Sequence, residues 1–408
     1  TEVLTHKAGA GSYRAPGAVA AHFAVESAVD ELARRLGLDP LEMRLRNAAR
    51  EGDLRPTNAL WPRIGLIECL ERMREHPLWR ARTQNGSGML DDRCRRLGIG
   101  LAVGGWPGGI EPAAATCRVE EDGTLTIAVG AIDLNGTHNG FRSIAAEAFG
   151  VDASKVRVLL GDSDSAPRSG ATGGSKITLT VGAAVKEAVS DARRQTLAIA
   201  AEQLEAAVAD LEIVEGRVQV NGAASHGLAI ADIVRSTTAA ASPHPPVYGR
   251  GASAISRNSP GFGAHVAQIA VDPLTGEIEV LRYVVAQDVG RAINPAEVEG
   301  QIYGGVVQGL GWALSERIVF DEGGHVLTGS LLDYALPRSI WAPNVEAILV
   351  EAPSPDGPFG AKGVGEPPII PVAAAIANAV QDAVGIRLSE LPMTPERVFV
   401  GIQAAAST

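Results

Sequence analysis

The residues best suited to chemistry in this 408-residue chain lie near its far end, in Pro358-Phe359-Gly360-Ala361-Lys362-Gly363-Val364-Gly365-Glu366-Pro367-Pro368. Glycine without a side chain lets a ligand or another segment approach the backbone closely, and Pro367-Pro368 can open a helix. A lone Glu at such a loop is placed to act as a general acid or base beside an anionic group held by backbone N–H donors. The same spacing fits a carboxylate favoured in a first helical turn by the helix dipole. The local pattern leaves both readings open.

Other loops of small residues also precede helical patterns. Gly9-Ala10-Gly11-Ser12-Tyr13-Arg14-Ala15-Pro16-Gly17 carries an Arg that could hold an anion or simply occupy a surface turn. Asp133-Leu134-Asn135-Gly136-Thr137-His138 reads as a polar strand-to-helix turn, and Gly170-Ala171-Thr172-Gly173-Gly174-Ser175-Lys176 leads into a long Ala-rich helix. Asp288 to Pro295 opens a helix with Gly300-Gln301 and Gln308-Gly309-Leu310-Gly311, whose dense glycines imply close backbone packing or a ligand against the helix. Asp162 and Asp164 lack the further ligands a calcium loop needs at fixed offsets and read as a turn. Glycine-rich loops leading into helices, a single candidate base and no Lys cluster together imply one large, polar, anionic cofactor gripped by backbone N–H groups.

The elements that must position these loops follow from periodicity. Phe23, Val25, Val29, Leu32, Ala33 and Leu36 fall at helical spacing and Gly37 stops the run, after which Asp39-Pro40 starts a short helix to Asn47. Residues 56–96 read as an interdomain connection around an amphipathic helix from Ile64 to Glu75, with a Gly-Ser segment from Gln84 to Gly88. Strands Thr116 to Glu120 and Thr124 to Val129 flank a Glu121-Asp122-Gly123 hairpin turn, and Val156 to Leu160 follows a helix ending near Ala148. A helix from Leu179 to about Ala207, a hairpin over Leu211 to Val220, strands Ala264 to Val271 and Ile278 to Val285, strand Val345 to Val350 and a final helix complete the pattern. No βαβ unit carries GxGxxG with an acid at the expected offset, so a nicotinamide fold is not supported.

Composition narrows the function classes. With 46% hydrophobic and 20% charged residues, 47 Gly and 24 Pro, the chain is globular and loop-rich, and 408 residues allow two or three cores. A formal charge of −11 argues against a nucleic-acid surface. The apolar run from Ile369 to Val384 is interrupted by Asn378, Gln381 and Asp382, so no membrane span is expected. Cys69, Cys94 and Cys117 are odd in number and widely spaced, which fits buried thiols in a reducing, cytoplasmic setting. A chain opening on Thr1 reads as processed or as one piece of a larger polypeptide.

Gly360 to Pro368 (GAKGVGEPP), Asp288 to Pro295 with Gly300-Gln301 and Val307-Gln308-Gly309, the Tyr13 to Gly17 loop with Arg46-Asn47, and Leu391-Pro392-Met393-Thr394-Pro395-Glu396 occur here in one order. In these motifs the chain resembles the C-terminal half of the molybdenum-cofactor subunit of the xanthine dehydrogenase and aldehyde oxidase family. The resemblance implies an α+β fold of mixed α/β lobes. It divides the chain into the end of a first molybdopterin-binding domain (1–55), the connection (56–96), and two lobes of a second such domain (97–240 and 241–408).

For function, the resemblance implies hydroxylation of an aldehyde or N-heterocyclic C–H by water-derived oxygen. Glu366 would be the base that takes a proton from an oxygen on molybdenum. Tyr13, Arg14 and Ala15 would lie against the cofactor, as would Asn135 and Gly136 and the loop Gly363, Val364 and Gly365. Thr172, Gly173, Gly174 and Ser175 would supply N–H donors, and Gln301 would hydrogen-bond the pterin. The metal's sulfur ligands come from the pterin, so no side chain binds it directly. The resemblance further implies a separate chain carrying the N-terminal half, an iron–sulfur subunit, an FAD subunit and a dimer of that heteromer, with the cytosine dinucleotide form of the pterin left open.

Departures from the family pattern sharpen these expectations. Asn135 stands where many members have Gln. Ala15 replaces the Cys of copper-containing carbon monoxide dehydrogenases, and the two aromatic positions of purine oxidisers fall at Pro16 and Leu101, the expected substrate pocket. Two other readings stay in view: a non-catalytic half that holds cofactor for chemistry on a partner chain, and reduction of an aromatic thioester.

Overall fold

A computed structural model describes residues 5, 7, 9, 11–84, 89–134, 136–161 and 164–407. Asn135, Asp162, Ala10 and the segment 85–88 lie outside the described residues. Eleven strands are found among them: β1 (Arg96–Trp106), β2 (Ala113–Val119), β3 (Leu125–Val129), β4 (Val156–Leu160), β5 (Leu211–Val214), β6 (Arg217–Val220), β7 (Ala223–Ala229), β8 (Tyr248–Ser253), β9 (Gly261–Val271), β10 (Ile278–Asp288) and β11 (Asn344–Val350). The helices are α1 (Ala18–Arg35), α2 (Pro40–Asn47), α3 (Leu66–Glu75), α4 (Pro77–Gln84), α5 (Thr137–Phe149), α6 (Ile177–Gln203), α7 (Ile230–Thr238), α8 (Pro295–Leu314), α9 (Val372–Val384) and α10 (Pro395–Ala406).

The strands form sheets of order β1-β9-β10-β11, β4-β3-β2-β8 and β5-β6-β7, antiparallel except for the β10–β11 and β3–β4 pairs. This is the mixed helix-and-sheet α+β architecture expected. The two larger sheets take strands from both sides of residue 240, because β1 joins the late strands while β8 returns to the early ones.

Glycine explains both exchanges. Alternate glycines leave one face of a strand as bare backbone, on which an Ala-rich helix can lie directly. On β1, a Cβ at Gly98 or Gly100 would sit 2.2 Å from a carbonyl oxygen of α9, that of Ala379 or Ala375. On β8, a Cβ at Gly249 or Gly251 would sit 2.0 or 2.1 Å from carbonyl oxygens of α6. Each sheet thus receives its long helix at the closest approach the backbone allows.

One core lies between the β4-β3-β2-β8 sheet and α5, α6 and α7. A second lies between the β1-β9-β10-β11 sheet and α8 and α9, and a third covers that sheet's other face with α2, α3 and α4. The apolar stretch Pro367–Val384 is 89% buried within the protein, as suits a core helix. Cys69 and Cys117 are buried, but Cys94 is exposed, at φ 60° in the turn that Asp91 closes with its side chain, so the expectation of buried thiols fails there.

The first helix is fixed by carboxylates rather than apolar contact alone. Glu26, buried on α1, accepts from Arg44 Nε at 2.8 Å and from the Val103 N–H at 2.7 Å, while Asp30 pairs with Arg387. Burial of charge is sustained only where the charge is paired and hydrogen-bonded, here through Glu26 Oε2 and Asp30 Oδ2. The loop ahead of α1 is thereby anchored to β1 and to the segment after α9.

Candidate active site

Glu366 ends the glycine loop, and its carboxylate is buried, with the residue 8% exposed. A single 3-10 turn, Pro367–Ile369, follows it, and α9 begins only at Val372. Its side chain makes no capping hydrogen bond to that turn. Instead Oε1 accepts from the Ala15 N–H at 3.1 Å and Oε2 accepts from the Ser175 hydroxyl at 2.7 Å. Ser175 Oγ also accepts from the Glu366 N–H at 3.0 Å. Loops 351 and 191 residues away in sequence therefore meet on one carboxylate.

Both contacts come from left-handed backbone. Ala15 (φ 59°) and Ser175 (φ 58°) are two of the eight non-glycine residues with positive φ among the described residues. Such positions cost of order 1 kcal/mol or more and concentrate where geometry serves function. Ala15 is held by packing against Ile369 and Ile370. Ser175 is held through Gly174, whose carbonyl accepts from the Trp106 indole at 3.1 Å and the Gly109 N–H at 2.5 Å.

Arg14 braces the same loop from the other side. Its Nε donates to the Gly365 carbonyl at 2.6 Å, and its terminal nitrogens donate to the Gln301 carbonyl at 3.0 Å and to Gln308 Oε1 at 3.2 Å. Burial pulls its guanidinium below the ordinary value, opposed by Tyr13 and Glu366. All three of these acceptors are neutral, so the positive charge remains available to the Glu366 carboxylate or an anionic ligand. Of the helical glycines, Gly305 and Gly309 are packing sites, where a Cβ would meet Pro368 at 2.7 Å or Val372 at 2.6 Å, so α8 seats the segment just after Glu366, whereas Gly300 faces open space.

Two charged residues in the quoted motifs had no role assigned from sequence. Lys362 and Asp288 form an ion pair at 2.8 Å with both side chains fully buried. Burial pushes the Asp288 carboxyl up, against the opposing pull of Lys362 and of the Gly65 and Gly290 N–H groups. A Lys inside a glycine loop and an Asp closing an apolar strand are the signals that could have drawn attention to them.

The predicted site residues do not all meet at one point. Arg14, Ala15, Ser175, Gln301, Gly363, Gly365 and Glu366 converge as described, and Gly174 supports Ser175. Gly136 and Val364 line one cleft with Gln301 and Thr137. Thr172 and Gly173 share the Ser175 loop; Gly173 is exposed, with open space where a Cβ would be. Tyr13 is 70% exposed and its hydroxyl meets Gln308 Nε2. Pro16 is exposed beside Ala15, whereas Leu101 is fully buried in the core with Leu41 and Leu70 and offers no surface to a substrate.

Comparison with known proteins decides what this convergence belongs to. Two family descriptions, each of a molybdopterin cofactor-binding domain, match residues 72–343 and 1–48. The chain belongs to the molybdopterin cofactor-binding family. It is 36% identical over 412 residues to the xanthine dehydrogenase molybdenum-binding subunit of Escherichia coli O157:H7, covering 97% of this chain and 54% of that one. It is 30% identical to the aldehyde oxidoreductase of Megalodesulfovibrio gigas, covering 98% of this chain and 43% of that one. The crystal structure of quinoline 2-oxidoreductase from Pseudomonas putida 86 superposes with a TM-score of 0.89 at 30% identity, covering 96% of this chain and 53% of that one. The chain thus spans about half the length of these relatives.

The residues present fit a molybdopterin. The open backbone at Gly173, the left-handed Gly174 at φ 68° and the Gln301 amide at the cleft edge offer polar groups to a large polar ligand, while Gly136 packs against the Glu297 carboxylate.

Proposed function

We propose that this chain is the catalytic half of a molybdenum-dependent hydroxylase that oxidises an aldehyde or an N-heterocyclic C–H, with Glu366 as the base. The observation carrying this is the state of the carboxylate: buried, gripped by two neutral donors, and without a Lys or Arg ion pair among the described residues. A carboxylate offers about four acceptor positions. Ala15 and Ser175 use one on each oxygen, which fixes orientation while leaving lone pairs to receive a proton.

The cofactor, when bound, supplies a Lewis-acidic redox metal that activates water-derived oxygen and takes up the electrons. The chain supplies the rest. Ser175 holds Oε2, Ala15 holds Oε1, and Arg14 fixes the Gly365 carbonyl so that the carboxylate cannot swing away. When Glu366 accepts a proton, the neutral carboxyl keeps both of these hydrogen bonds, so proton transfer requires no rearrangement of the loops. Tyr13, Gly136, Thr172 to Ser175, Gln301 and Gly363 to Gly365 would hold the pterin, and Pro16 would border the substrate.

The substrate class rests on the relatives, which include an aldehyde oxidoreductase, a quinoline 2-oxidoreductase and a nicotine 6-hydroxylase large subunit. In this reading a chain bearing the other half of those relatives, an iron–sulfur subunit and an FAD subunit complete the enzyme. The test is anaerobic addition of aldehydes and N-heterocycles to the purified complex with metal analysis. Stoichiometric molybdenum and substrate-dependent bleaching are expected. Bound cofactor without bleaching by any of these substrates would assign the chain a holding role instead.

A further inference from the structure

We propose that the buried Asp288–Lys362 pair is a positioning device that sets the Gly363–Glu366 loop in register against Ser175. The inference rests on the reading of Glu366 as the base. Lys362 Nζ donates to Asp288 Oδ2 and to the Arg63 carbonyl, each at 2.8 Å. Asp288 Oδ2 also accepts from the Gly65 N–H at 2.8 Å, and Oδ1 accepts from the Gly290 N–H at 3.1 Å. One ion pair therefore ties together the connection ahead of α3, the end of β10 and the glycine loop.

Neither side chain is exposed at all, so the pair does not meet substrate. A buried ion pair is a weak source of stability compared with apolar packing of the same volume. Its consequence here is geometric. The Lys362 N–H donates to the Val289 carbonyl and the Arg291 N–H to that of Gly360, both at 3.1 Å, which clamps residues 360–362 onto 289–291. Between that clamp and Glu366 stand only Gly363, Val364 and Gly365. A built Cβ at Gly363 would lie 1.7 Å from the Ser175 carbonyl oxygen, so the loop passes Ser175 at the limit of approach. A shift at Lys362 has nowhere to go except into the Ser175–Glu366 contacts.

The test uses the whole assembled enzyme with Lys362→Met and with the double variant Asp288→Asn/Lys362→Met. The double variant leaves no uncompensated buried charge and carries the test if the single variant fails to fold. Amide hydrogen exchange reads the loop independently of turnover. The Glu366 N–H, bonded to Ser175 Oγ in the parent, should exchange about tenfold faster while β9 and β10 core amides keep their rates. In steady state, kcat should fall about 10- to 100-fold with KM changed less than about threefold. The proposal is overturned if Glu366 exchange accelerates no more than that of the core amides, or if the double variant turns over at the parent rate. Full activity in Glu366→Gln alongside faster Glu366 exchange in Lys362→Met would instead remove the base and leave the strut.

Discussion

Replacing Gly363 by alanine would put a methyl group where the Ser175 carbonyl oxygen already sits. The built Cβ lies 1.7 Å from that oxygen, so the loops must part by more than 1 Å to reach even the 3.0 Å that real Cβ atoms respect. Neither side has slack. Ser175 is already at φ 58° and tied through Gly174 to Trp106 and Gly109, while Gly363 follows directly on buried Lys362. The contacts that give way are the two between Ser175 Oγ and Glu366, now at 2.7 and 3.0 Å. Lengthened by about 1 Å, both exceed hydrogen-bonding range. The bond to the carboxylate is worth about 1.5–3 kcal/mol and the one to the amide about 1 kcal/mol. A misplacement of about 1 Å at a catalytic group costs roughly 100-fold in rate, or about 2.7 kcal/mol of barrier. We therefore expect Gly363→Ala to lower kcat/KM about 100-fold while the complex retains its molybdenum, measured by steady-state kinetics beside metal analysis. A cofactor-loaded Gly363→Ala enzyme with kcat within about threefold of the parent would refute the idea that this loop contact aims the carboxylate.

Three further outcomes are expected. Ser175→Ala removes the hydroxyl donor to Oε2 and the acceptor of the Glu366 N–H, and should cost about 10- to 100-fold in kcat/KM and lower the melting temperature by a few degrees. Gly100→Ala drives a Cβ to 2.2 Å from the Ala375 carbonyl oxygen on α9 and should lower unfolding stability by about 3 kcal/mol in denaturant titrations. His265 is fully buried between β1 and β10, with Nδ1 3.0 Å from the Tyr283 hydroxyl, and burial lowers its pKa from 6.5 to about 3. Because the folded value is depressed, its contribution is intact above about pH 6.5 and is lost as pH falls toward 3, at up to about 1.4 kcal/mol per pH unit. His265→Gln should flatten that limb of the stability curve, and an unchanged slope would count against the assignment.

Much of the frame was legible in sequence, and what was not has a physical reason. Periodicity placed α1, α2, α5, α6, β3, β4 and β10 within a few residues, since most have an apolar face and a Gly, Pro or Asp near an end. The glycine pairs inside β1 and β8 carried no such signal. Gly98-Ile99-Gly100 and Gly249-Arg250-Gly251 look like loop, and only the Ala-rich helices α9 and α6, far away in the chain, show why a strand needs bare backbone there. The same distance hid the site's internal contacts. The glycine loop, Arg14 and Ser175 could each be singled out, but that Ala15 and Ser175 share one carboxylate depends on tertiary closure. Leu101 shows the reverse: a position matched by alignment to a substrate wall faces the core once β1 is paired with β9. Lys362 and Asp288 were in view as motif letters, yet their pairing required knowing that β10 ends beneath the loop.

Proton transfer to Glu366 is tested without intermediaries by the turnover of a Glu366→Gln complex with its molybdenum content determined on the same sample. Gln keeps the shape and an oxygen for one of the two donors but cannot take up a proton. Molybdenum equal to the parent with kcat reduced at least about 100-fold is expected. Parent-level turnover in a fully loaded Glu366→Gln enzyme would contradict it.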